Sequence, residues 1–94
     1  MSTPDGTNGG KTIGSLETAF TIVELVAQHG EVTPSGLTDE IDYSRSTIHY
    51  YLRTLEKHRF LTRGDGGYRL GFRFLHYGNR AVRGHELART ARAR

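Results

Sequence analysis

Two apolar periods alternate along this chain, and the change from one to the other marks its elements. Leu16, Ala19, Phe20, Val23, Val26 and Ala27 recur at helical spacing. Ser15 precedes them as an N-cap, Glu17 suits the positive end of the helix dipole, and Gly30 follows as a stop. The pattern predicts a first helix from about Ser15 to His29. Thr33-Pro34 is a second start, a threonine cap with proline in the first helical position. That short helix reaches about Ile41 and buries Leu37 and Ile41. It contains Gly36, so it depends on packing for stability. Asp42-Tyr43 turns the chain, and Ser44 caps a third helix from Arg45 to about His58, with Ile48, Tyr51, Leu52 and Leu55 as its buried stripe. The period then shortens. Phe60-Leu61-Thr62-Arg63 and Tyr68-Arg69-Leu70 flank Gly64-Asp65-Gly66-Gly67, the pattern of a hairpin closed by glycines. From Phe72 to about Thr90 the composition is helical again, interrupted by Gly78 and Gly84.

These elements divide the chain into a polar, glycine-rich arm expected to be disordered (1–12), a unit of three helices and a hairpin (13–71), and a linker helix with its tail (72–94). The fold class expected is mainly α with a small β-hairpin wing: a winged helix-turn-helix plus a C-terminal linker helix.

The first helix carries two apolar stripes. Leu16, Phe20, Val23 and Ala27 are expected to face the core. Thr18, Ile22, Leu25 and His29, spaced four, three and four, then lie on the far side as a seam for a second copy. One alternative folds the last helix, through Phe74, Leu75 and Val82, over that face. Another leaves Ile22 and Leu25 as stray surface aliphatics.

With Ile48, Leu52 and Leu55 inward, the third helix presents Ser46, Tyr50, Arg53 and Lys57, flanked by Thr47, His49 and Thr54. Its first turn, Ser44-Arg45-Ser46-Thr47, is small and polar, so backbone N–H groups there can approach phosphate. Arg45 and Arg53 can reach guanine edges or phosphate, and His49 and Tyr50 can meet thymine methyls or phosphate oxygens. Arg63 and Arg69 flank the glycine tip of the hairpin, where backbone can lie close to a duplex. The same helix and hairpin read in isolation are also compatible with ordinary solvated charge. Their succession favours duplex DNA as the partner.

Charge adds modestly to this picture. Thirteen basic against ten acidic residues leave +3, and all the basic residues but Lys11 and Lys57 are arginine, the side chain suited to bidentate contacts with phosphate and guanine. Non-specific packaging of nucleic acid would need a larger excess. With no cysteine, disulfides and thiolate zinc sites are excluded, and a cytoplasmic location is expected. No signal peptide or membrane-length apolar run is visible, so no membrane partner is expected. His29, His49, His58, His76 and His85 are scattered singly, and the glycine run lacks a following Gly-Lys-Ser/Thr. No catalytic constellation, metal site or cofactor is expected, and an enzyme is not the reading. The principal rival is a winged helix used as a protein–protein interaction module, which would expose apolar residues where this helix exposes Ser46, His49, Tyr50 and Arg53.

Three strings, SLETAFTIVELVAQHG, SRSTIHYYLRTLEKHRFL and GGYRLGFRFLHYG, resemble the N-terminal winged-helix domain of IclR-type bacterial and archaeal transcription regulators, over roughly Ser15 to Leu87. The resemblance implies that Arg45, Ser46, Thr47, His49, Tyr50 and Arg53 lie on the DNA-reading helix and Arg63 and Arg69 on the wing. It further implies a homodimer on a palindromic operator. Such regulators continue into an effector-binding domain, which would begin about where these residues end at Arg94, so no small-molecule effector site is expected within them.

Overall fold

The computed structural model describes residues 11–93. Its elements run α1 (Gly14–His29), α2 (Pro34–Glu40), α3 (Arg45–Lys57), β1 (Leu61–Gly64), β2 (Gly67–Leu70) and α4 (Phe72–Ala93). The helices and the antiparallel hairpin make a winged helix-turn-helix followed by a long helix. The arm expected at the N-terminus falls mainly on residues 1–10, outside the described residues.

Local chemistry sets most element ends. Thr33 Oγ1 accepts from the Gly36 N–H at 3.0 Å, and Pro34 opens α2. Ser44 Oγ accepts from the Thr47 N–H at 3.2 Å and caps α3. Gly30 closes α1 at a φ of 86°, and its N–H donates to the Val26 carbonyl at 2.8 Å. The start of α1 differs from expectation. The helix begins at Gly14, Ile13 occupies the N-cap position, and no side chain caps it, so Ser15 lies inside the first turn.

The hairpin pairs Leu61 with Leu70, Thr62 with Arg69, Arg63 with Tyr68 and Gly64 with Gly67, and Asp65-Gly66 forms its tip. A third segment joins it. Val32 and Tyr68 exchange backbone hydrogen bonds of 2.9 and 2.7 Å, tying the α1–α2 connection to β2. Gly67 sits at this junction with a φ of 145°, and a Cβ there would collide with the Val32 carbonyl. Only glycine satisfies both demands.

All elements up to β2 contribute to one core: Ile22 and Val26 from α1, Leu37 from α2, Ile48 and Leu52 from α3, Leu61 and Tyr68 from the hairpin, and Val32 between α1 and α2. Ile41, Tyr51 and Leu55 pack at its edge.

The faces of α1 are the reverse of those expected. Ile22 is wholly buried, Thr18 is buried, and Leu25 packs against the core. Leu16 and Phe20, expected inside, are 52% and 60% exposed. The seam assigned to Thr18, Ile22, Leu25 and His29 is therefore corrected: its aliphatic members are spent within the chain. Thr18 tolerates burial because its hydroxyl donates to the Gly14 carbonyl at 3.0 Å and lies 3.2 Å from the Tyr43 hydroxyl. His29 faces α2, with Nε2 3.3 Å from the Glu40 carboxylate. Among the described residues, Leu75 and Val82 of the last helix do not cover α1 either. Phe74 packs edge-on against Phe60 at 5.0 Å, whereas Leu75 through Leu87 are exposed throughout.

Candidate nucleic-acid interface

Burial of Ile48 and Leu52 fixes the rotation of α3 about its axis. Ser46, Tyr50, Arg53 and Lys57, about half a turn away at 100° per residue, are accordingly exposed. Arg45 is exposed in the first turn, and Thr47 and His49 lie half-exposed on either flank. Ser44 donates to Thr47 Oγ1 at 2.9 Å and lies 3.3 Å from Ser46 Oγ, so three hydroxyls gather at the helix start. The N–H groups of Arg45 and Ser46 point out of that start with no acceptor in the helix, as the first turn of any α-helix requires. A polyanion arriving there meets backbone donors, small hydroxyls and a guanidinium together.

Two groups of the face have neighbours that limit their reach. The Arg53 guanidinium sits 5.9 Å from the centre of the Tyr50 ring, so the two side chains neighbour each other in mid-face. Tyr50 also borders an apolar groove with Leu16 and Ala19 of α1 and Thr54 and Leu55 of α3. Its ring thus lies on the α1 side of the face. Lys57 stands at the far end beside a shallow cleft shared with Arg59, Thr62 and Phe72.

The hairpin register separates its two arginines. Alternation along the strands puts Arg63 with Tyr68 on one face and Arg69 with Thr62 on the other. Arg63 lies over the Tyr68 ring at 4.6 Å and 3.7 Å from the Glu56 carboxylate, which links the wing to α3. Arg69 instead lies 3.8 Å from the carboxylate of Glu31, just beyond α1. Of the two, Arg63 is the one brought beside α3.

Three residues of the site were not singled out from the sequence. Glu31 and Glu56 look like ordinary solvated acids there, because their partners are set by the β2–Val32 bridge and by the α3–hairpin angle. Arg59 ends α3 in the left-handed region, exposed, with its guanidinium 5.9 Å over Phe72.

Among the described residues no group of three or more His, Cys, Asp or Glu side chains could hold a metal ion, and no helix is long and apolar enough to cross a membrane. The IclR helix-turn-helix domain matches residues 15–65, which takes in α1, α2, α3 and the first arm of the wing. The chain is similar to a protein of Halobacterium salinarum described as a probable HTH-type transcriptional regulator ArcR, 34% identical over 92 residues. That alignment covers 95% of this chain but 35% of the relative, so the chain spans about a third of that protein's length. No solved structure matches the chain.

Proposed function

The chain belongs to the IclR helix-turn-helix family, and we propose that its winged helix is a DNA-binding module of transcription regulation that reads a palindromic operator as a homodimer. In this reading α3 enters the major groove by its hydroxyl-rich start and the wing lies along the neighbouring backbone or minor groove. The observation that carries it is the outward face of α3. Ser46, Tyr50, Arg53 and Lys57 are exposed together on a helix whose opposite face is locked into the core, and Arg45 is exposed in its first turn. Ser44, Thr47 and His49 complete the contact region, and Arg63 and Arg69 supply the wing.

A second copy fits the exposed apolar residues better than any buried stripe does. Ile13, Leu16 and Phe20 line one apolar surface at the start of α1, and Phe72, Leu75 and Val82 lie exposed on α4. Burying each fully is worth about 1.5–3 kcal/mol. A two-fold pairing through these residues would set two recognition helices on half-sites one helical turn, or a multiple of it, apart.

Mutant binding separates the roles. On an operator selected from random duplexes, Arg53→Ala costs about 1–3 kcal/mol and relaxes sequence preference. Arg69→Ala weakens the operator without relaxing preference at the bases that α3 reads, since the wing grips backbone. Equal behaviour of the two variants across sequences would overturn this division of roles.

A further inference from the structure

Each face of the wing carries one arginine, and each arginine is met by one carboxylate from a different part of the chain. Glu56, near the end of α3, meets Arg63, and Glu31, between α1 and the Val32 bridge, meets Arg69. The acids lie inward and the guanidiniums outward: side-chain exposures are 35% and 31% for Glu56 and Glu31, against 64% and 58% for Arg63 and Arg69. Glu31 also lies against the turn. Its two carboxylate oxygens fill the space beside Gly64 and Gly66, where a Cβ on either glycine would collide with them.

We propose that Glu31 and Glu56 are positioning residues of the wing that hold Arg69 and Arg63 back from phosphate until α3 is seated, and so restrain binding to random duplex. This rests on the DNA-binding reading above. Separations of 3.7 and 3.8 Å with solvated guanidiniums make each pair weak enough to exchange for a phosphate oxygen. On a poorly matched duplex the arginines stay with their carboxylates and neutralise nothing. On a matched site, seating of α3 brings the backbone within reach of the wing, and the guanidiniums swing outward to it. The carboxylates left behind are then close to a polyanion, a cost that only well-seated complexes overcome.

The test is a salt titration of binding to a random-sequence duplex, using the full chain and its Glu31→Gln/Glu56→Gln variant. Glutamine keeps the shape beside Gly64 and Gly66 and removes only the charge. A Glu17→Gln/Glu24→Gln variant makes the same change in net charge on the exposed side of α1. The wing variant is expected to bind random duplex about two- to fivefold tighter for each carboxylate removed. Its plot of log K against log salt steepens by about one for each freed arginine. In an Arg63→Ala/Arg69→Ala background the glutamine changes should have no effect beyond that of the α1 variant. A wing variant that matches the α1 variant in affinity and slope, while the unaltered chain binds duplex with a clear salt dependence, overturns the proposal and leaves the DNA reading standing. If no form binds duplex, both fall.

Discussion

Arg59 holds a φ of 69°, a backbone region that disfavours side chains other than glycine by roughly 1–2 kcal/mol. The hydrogen bonds explain why it is there. Its N–H donates to the Glu56 carbonyl and the Phe60 N–H to the Leu55 carbonyl, each at 2.9 Å, the paired bonds that end a helix in a left-handed turn. Glycine is the usual residue at such a position. Arginine there lays its guanidinium over Phe72, worth about 0.5–1 kcal/mol at an exposed site, and adds a charge beside Lys57. Arg59→Gly is therefore expected to keep or raise stability by up to about 1 kcal/mol. A chemical denaturation midpoint that falls would contradict this. Ser44 poses the opposite case, since it serves both the fold and the proposed contact. Ser44→Ala removes the bond from the Thr47 N–H and should cost about 0.5–2 kcal/mol, whereas Ser44→Gly should cost only a few tenths. Urea unfolding of the two variants separates capping from any direct effect on DNA.

Elements differ in how openly the sequence declares them. In α3 the apolar positions occupy one side and charged or hydroxyl residues the other, so Ile48 and Leu52 could be placed inside and Arg53 outside from spacing alone. The Thr33 and Ser44 caps and the hairpin were equally legible, because each is a local backbone requirement met by a nearby residue. In α1 the signal is degenerate. Leu16, Ala19, Phe20, Ile22, Val23, Leu25, Val26 and Ala27 surround most of the axis, and two stripes compete for the core. What decides between them is non-local. The tie from Val32 to Tyr68 fixes how the chain leaves α1, and Tyr43 supplies a partner for the Thr18 hydroxyl. Neither is visible in periodicity, and the same non-local origin hid Glu31 and Glu56. The corrected faces have a direct consequence. Ile22→Glu buries a charge in the core and should unfold the domain, while Phe20→Glu should leave it folded. Circular dichroism of the two variants checks this, and a folded Ile22→Glu would restore the discarded seam. If the exposed face joins two copies, Phe20→Glu should in addition lower the sedimentation coefficient of the folded chain.

At the scale of the molecule, a net charge of +3 is too small to act by itself as a polyanion trap, so its arrangement has to carry the account. One rigid helix presents Arg45, Arg53 and Lys57. A hairpin beside it carries Arg63 and Arg69, and the acids that accompany those two arginines lie behind them. With about 3–5 phosphates neutralised per chain, log K against log salt should fall with a slope of about −3 to −5 per chain, and twice that for a dimer. The rival use of this fold, as a protein–protein module, predicts little salt response with duplex. The central claim is tested most directly by titrating the chain with a fluorescent duplex at several salt concentrations and reading that slope. A slope in the stated range supports an arginine-led grip on the DNA backbone. A flat response, or no binding at low salt, would contradict it.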